Sequence, residues 1–117
     1  MGPRSTHTRR ADLRLMTRFT GRQAAAAEQM YRRFAAEVYG IGLQTFHDPD
    51  LAATLVEDTF VRVWRRGSQF LSSSASLDEW VRAHALGVAL EIAHHRVDRR
   101  RAQLAEEVME HAASLRA

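Results

Sequence analysis

Apolar residues recur three and four positions apart along most of this chain. No segment alternates polar and apolar for long enough to form a strand. Met30, Phe34, Val38 and Ile41 keep the helical spacing, with Tyr31 beside them, and so do Ala52, Val56, Phe60 and Val63. Trp80, Val81, Ala85, Val88 and Ile92 continue the pattern. A chain built this way buries one stripe of each helix against the others. The spacing therefore predicts an all-α fold, a compact bundle of about four helices with a C-terminal tail that keeps helical spacing. At 117 residues the chain is expected to be one domain with a core of its own. It has no cysteine, which excludes disulfide frameworks, zinc fingers and thiol catalysis. No apolar run approaches the roughly 18 residues a bilayer requires, and the basic start is not a secretory signal. A soluble cytoplasmic protein is the expectation.

Local signals divide the chain. Residues 1–10 are polar and expected to be disordered, and a short helix is predicted over 11–20 with Leu13, Met16 and Phe19 inward. Gly21 suits a left-handed helix end. The second helix is predicted from about Gln23 to Phe46; Gly40 and Gly42 either weaken it or admit a close neighbour. Asp48-Pro49 is a restart signal, with Asp as N-cap and Pro at the first helical position. The third helix is predicted from Pro49 to about Arg66, with Gly67 as its C-cap and a loop over 68–75. Ser76-Leu77-Asp78-Glu79 reads as a capping box that opens the fourth helix, which runs to about Arg100. A bundle domain over 11–101 and a helical tail or linker over 102–117 follow. Leu104, Val108, Met109, Ala112 and Leu115 of that tail either continue the fourth helix or fold back.

Charge is uneven. All 17 basic residues are arginine, against 14 acidic ones, for a formal net charge of +3. Arg4, Arg9, Arg10, Arg14, Arg18 and Arg22 crowd the start, and Arg96, Arg99, Arg100 and Arg101 form a second cluster. Such clusters are read either as a polyanion-binding surface or as a solvated face.

The order of these pieces resembles region 2 of the extracytoplasmic-function sigma factors. The residues that carry the resemblance are Glu28-Gln29-Met30-Tyr31-Arg32-Arg33-Phe34, then His47-Asp48-Pro49-Asp50, then Leu55 to Arg66 with Phe60 and Trp64. Phe70, Leu77, Trp80-Val81, Ala89-Leu90-Glu91 and the second arginine cluster follow at the family's spacing. The resemblance covers about residues 11–101 and implies a non-enzymatic, cofactor-free role in transcription initiation. In that family the third helix docks on a coiled coil of the RNA polymerase clamp. The fourth helix and the loop before it capture bases of the melted minus-ten promoter element. Carried over, Thr54, Glu57, Asp58, Val61 and Arg65 become the polymerase-binding residues. The first four lie at i, i+3, i+4 and i+7, on one exposed face. The DNA-binding residues become Phe70, Ser72, Ser73, Ser74, Trp80, His84, Gly87, His95, Arg96, Arg99 and Arg100. The small, polar loop suits a pocket for a flipped base, and arginines beside it suit a strand's phosphates. Tyr31, Phe34, Phe60 and Trp64 are expected in the core; Trp80 and Phe70, flanking the loop, are expected to be more open.

The sequence departs from the family in ways that bear on mechanism. Thr54 stands where Asp is common. Glu57-Asp58 stands where Gln-Glu is common. Ile-Ala-Arg-Asn of the fourth helix reads His84-Ala85-Leu86-Gly87. Leu86, Leu90, Ala93 and Val97 form a second apolar stripe, which the tail, a second copy or a partner such as an anti-sigma protein is expected to cover. The resemblance stops before the family's second, helix-turn-helix domain, so the chain is expected to be a one-domain relative or a piece of a longer protein. His84, Glu91 and His95 share a helix face, and Glu107 and His111 make an i, i+4 pair, but no tight ligand motif is present and no metal is expected. Nothing resembles a phosphate loop or a nucleophile motif. Two functions remain: a DNA-binding initiation factor, favoured by the basic clusters, and a sigma-like regulator, co-sigma subunit or decoy, favoured by Leu86, Gly87 and the second stripe. The first is preferred.

Overall fold

The computed structural model describes the backbone of residues 2–116 and the side chains of residues 8–116. Five helices follow in order: α1 (Gly2–Thr20), α2 (Ala24–Phe46), α3 (Pro49–Arg65), α4 (Gly67–Leu71) and α5 (Leu77–Arg116). Among the described residues there is no strand, and no helix is long and apolar enough to cross a membrane.

Helix α1 begins at Gly2, well before the expected start near Ala11. The stretch expected to be disordered thus carries its first turns; the Arg4 side chain lies outside the described ones. The inward stripe of α1 is Asp12, Leu15, Met16 and Phe19, while Leu13 is only partly buried. Its end is a Schellman motif: Gln23 N–H donates to Arg18 O and Arg22 N–H to Phe19 O, both at 3.1 Å. The left-handed residue is Arg22, not Gly21. Arg22 lays its guanidinium 5.3 Å from the centre of the Trp64 ring, a contact a glycine lacks.

Met30, Phe34 and Val38 of α2 meet Ala52, Leu55, Val56 and Val63 of α3 in the core, joined by Val81, Ala85 and Val88 of α5. The turn between α2 and α3 is built as expected. Asp48 Oδ1 accepts from the Asp50 and Leu51 amides at 2.9 and 3.4 Å, and Pro49 opens the helix. Just before it, Gly42 packs on Ala52 so closely that an added Cβ would lie 2.6 Å from the Ala52 Cα. Gly40, half a turn earlier, has open space where a Cβ would go.

One feature was not expected, and one settles an open alternative. Gly67 is no C-cap; it opens the short helix α4 and is buried beneath α1, where a Cβ would meet Thr20 Cγ2 at 2.3 Å. The tail does not fold back: α5 is one helix of 40 residues, and every residue from His94 to Arg116 is exposed. Ser76 caps it by accepting from the Glu79 amide at 3.1 Å, although the Glu79 carboxylate takes the Ser76 hydroxyl rather than a backbone amide.

Arg33 ties three helices together. It donates to Asp12 of α1 at 2.7 and 3.4 Å and to Asp78 of α5 at 3.3 Å. The hydrogen bond to Asp12 raises the Arg33 pKa further, against the desolvation that burial imposes.

Two glycine substitutions separate packing from propensity. Gly42→Ala should cost about 1–3 kcal/mol through overpacking against the Ala52 backbone. Gly40→Ala should stabilise the chain by about 0.5–1 kcal/mol, because it only removes backbone freedom from a helix. Urea unfolding of both variants checks the opposite signs.

Candidate functional site

Helices α3 and α5 run side by side and leave an open groove of about 600 Å³ between them. Leu51, Thr54, Asp58, Val61, Arg62 and Arg65 of α3 and the following Arg66 form one wall. Val88, Glu91, Ile92, His95, Arg96 and Arg99 of α5 form the other. Five arginines here face two carboxylates, a net charge of 5 − 2 = +3 before His95 is counted. One carboxylate is already engaged: Glu91 is ion-paired with Arg62, and that hydrogen bond holds its pKa below the usual carboxylate value. Arg65, Arg66, Arg96 and Arg99 make no ion pair among the described residues. Arg96 instead lies 5.8 Å from the centre of the Phe46 ring. The groove therefore presents guanidinium groups whose charge awaits an anion.

The groove brings together residues expected to serve two different partners. Thr54, Asp58, Val61 and Arg65, predicted to bind polymerase, share it with His95, Arg96 and Arg99, predicted to bind DNA. All five polymerase-type residues are exposed. Glu57, however, sits on the opposite shoulder of α3, in a shallow apolar groove with Tyr31, Arg32, Tyr39 and Val56. Tyr31, expected in the core, is 57% exposed there and packs its ring 5.7 Å from that of Phe60. Phe34 is buried as expected, and Phe60 and Trp64 are partly buried.

The serine loop is more tightly held than a flexible linker. Arg9 donates to the Ser73 and Ala75 carbonyls and lies 5.0 Å from the centre of the Phe70 ring. Ser72 Oγ donates to Gln69 O at 3.2 Å and Ser73 Oγ to Phe70 O at 2.9 Å, so both hydroxyls close the end of α4. Ser74 is exposed. Phe70, expected at the open flank of the loop, is fully buried and offers no free ring face to a base. It belongs to the short helix α4, which the Ser-rich composition concealed, and is that helix's inward side chain. Trp80 is half-buried on Phe70, with ring centres 5.5 Å apart, and His84 meets its edge at 4.3 Å. Burial, together with the charges of Arg66 and Arg62, holds the His84 pKa below its ordinary value. Those same two arginines line the groove, so His84 lies within reach of the charge at its edge. Gly87 is partly buried, and an added Cβ would come within 3.7 Å of Arg62 Nη1, ordinary contact distance. Arg100 points away from the groove, 4.0 Å from Glu107.

Three contributors were absent from the sequence expectation: Arg62, Arg66 and Arg9. The first two carried a signal. Arg62, Arg65 and Arg66 stand at i, i+3 and i+4, as basic residues would on one helical edge. Arg9 carried none, since only tertiary structure brings it 64 residues along to Ser73. Of the metal-type side chains on α5, Glu91 is taken by Arg62 and His84 by Trp80.

These features define an all-helical domain with a basic groove between α3 and α5. No family model and no solved structure matches the chain. Among curated proteins, the chain is similar to the ECF RNA polymerase sigma factor SigK of Mycobacterium tuberculosis and of Mycobacterium bovis. The identity is 29% over 92 residues, 78% of this chain and 45% of the relative. The similarity supports a relationship with the sigma-factor family, and the chain spans less than half the length of the curated relatives it matches.

The depressed pKa of His84 has a measurable consequence. As pH falls through about 6.5, the unfolded chain takes up a proton at this residue before the folded chain does. The stability that the neutral ring contributes is complete above that pH and is lost below it. Between pH 7.5 and pH 5.5, His84→Gln should lose less stability than the unsubstituted chain in urea unfolding. Equal losses would contradict the environment assigned to His84.

Proposed function

We propose that this chain is a non-enzymatic transcription-initiation domain that joins core RNA polymerase and holds a melted promoter strand along the α3/α5 track. The observation that carries this reading is the basic groove between α3 and α5, lined by Arg62, Arg65, Arg66, Arg96 and Arg99, whose Arg62 and Arg66 also act on His84 beside Trp80. A single strand needs a phosphate-binding track beside a pocket and a ring surface for its bases. Arg65, Arg66, Arg96 and Arg99 supply the first, and Ser74 with the exposed part of Trp80 supplies the second. Polymerase is assigned through the relatives, whose name is that of an RNA polymerase sigma factor. The exposed ridge of α3 is its docking surface, with Glu57 and Asp58 directed at basic groups of the clamp coiled coil.

A second reading keeps the fold but not base readout, as in a regulator, co-sigma subunit or decoy. It is favoured by Leu86, 49% exposed on α5, which with Gly87 stands where the family carries DNA-facing polar residues, and by Leu90, 63% exposed on the same apolar stripe.

The two readings separate on strand binding. With a labelled single-stranded minus-ten oligonucleotide, Arg96→Ala together with Arg99→Ala should weaken binding and reduce the salt slope by about 0.7 for each phosphate no longer neutralised. An unchanged affinity and slope would favour the second reading. Polymerase docking is tested separately by single charge reversals, since Glu57 and Asp58 face different grooves. Both Glu57→Arg and Asp58→Arg should reduce capture of core polymerase while circular dichroism stays unchanged. Capture unaffected by either would overturn the docking assignment.

A further inference from the structure

The outward side of α1 carries charge that nothing in the fold neutralises. Arg10, Arg14 and Arg18 are exposed and make no ion pair among the described residues. The one carboxylate of α1, Asp12, is buried and already paired with Arg33 at 2.7 Å. The neighbouring arginines have other tasks: Arg9 holds the serine loop and Arg22 lies on the Trp64 ring. At 3.6 residues per turn Arg10, Arg14 and Arg18 stay within about 80° of arc, each ~6 Å along the axis from the next. They form a ridge ~12 Å long. Like charges at i and i+4 destabilise a helix, so the fold gains nothing by keeping three in a row.

The chemistry of this face selects its partner. Leu13, Arg14, Thr17 and Arg18 line a shallow hollow of about 290 Å³. Two guanidinium groups beside an aliphatic surface suit a sugar–phosphate backbone, with phosphate oxygens for the arginines and deoxyribose for Leu13 and the Thr17 methyl. A protein or a membrane needs large apolar side chains at the centre of its contact, and none of the exposed large hydrophobic residues lies on α1. A single strand needs rings on which to stack its bases, and the only Phe, Tyr or Trp of α1, Phe19, is buried. The polyanion that requires neither is a duplex, which keeps its bases inside and presents phosphates and sugars.

We propose that the α1 ridge binds the phosphate backbone of duplex DNA, without regard to sequence, through Arg10, Arg14 and Arg18. It is a second nucleic-acid surface, and it shares no residue with the α3/α5 groove. It goes beyond the strand-binding reading of that groove and stands without it. Each strand of B-DNA presents a phosphate every ~3.4 Å of axis, so a ridge ~12 Å long spans enough of them for all three guanidinium groups. Such a contact fixes where a duplex lies and carries no sequence information.

The test uses the full chain and a labelled duplex of ~20 base pairs, titrated from about 50 mM salt upward. Arg10→Gln, Arg14→Gln and Arg18→Gln together should weaken duplex binding at least ~10-fold at the low-salt end and lower the salt slope by about 0.9 for each phosphate released. The loss should be the same for two duplexes of unrelated sequence, with circular dichroism unchanged because all three positions are exposed. A control removes as much charge elsewhere: Arg32→Gln, Arg100→Gln and Arg101→Gln, of which the first two already face Glu28 and Glu107. It should keep most of the affinity. Equal losses in the two variants would make net charge, and not the ridge, responsible and would overturn the proposal. So would a chain with no duplex binding at about 50 mM salt, or a ridge variant that binds as the parent does. Poly-glutamate that competes better than the duplex would give the ridge to an acidic protein and overturn the DNA assignment. The groove is scored separately: single-strand binding indifferent to Arg96 and Arg99 removes that reading and leaves the duplex result standing.

Discussion

The approach of α2 to α3 at Gly42 and Ala52 sets the geometry on which the other features rest. Two helices come this close only where one of them lacks a Cβ, and the contact sits one turn from the Asp48 corner that reverses the chain. With the corner capped and the backbones in contact, α3 has no freedom to tilt. Its outward ridge is fixed, and so are the grooves on either side of it. One of those grooves is apolar, lined by Tyr31 and Val56; the other is basic. The chemical contrast between the two sides of α3 thus follows from one missing methyl group and one capping carboxylate.

Arg33 performs a different task. Its pairing with Asp12, which is 5% exposed, joins α1 to α2, and its third hydrogen bond reaches Asp78 in the first turn of α5. The pair gains little net stability, because the desolvation of Asp12 offsets much of the attraction and solvent screens the partly exposed Arg33. It does penalise every arrangement in which Asp12 is buried without Arg33. The register of α1 against α5 is therefore specified here, and with it the position of Arg9 over the serine loop. The loop is held by a chain of contacts that starts with a carboxylate one turn along the same face of α1.

The helices were legible in the sequence because periodicity and capping are local. Asp48-Pro49 and Ser76 to Glu79 mark their helix starts within a residue. The errors arise where tertiary contacts override local preference. Gly21 had the composition of a helix end, but the left-handed position went to Arg22, which gains a ring to stack on. Gly67 looked like punctuation and is a packing residue beneath α1. Ser72 and Ser73 looked like loop and close a helix too short to show a period. The site was legible as residue types and not as an arrangement. No spacing rule states that Asp58 and Glu57, adjacent in sequence, look into different grooves, or that Arg65 shares a groove with Arg96.

Helix α5 has one glycine and no proline, and the glycine is Gly87. From Val88 to Arg116 nothing in the backbone favours a bend, since sharp kinks gather at Pro and Gly. Mechanically, the distal wall of the groove and the exposed shaft beyond it belong to one continuous rod, anchored in the core through Val88 and Ala89. A tilt of about 5° at that anchor would carry the far end of the rod by roughly 4 Å and the groove wall at Arg99 by roughly 1.5 Å, given 1.5 Å of rise per residue. Whatever grips the shaft therefore holds a lever with a mechanical advantage over the width of the basic track.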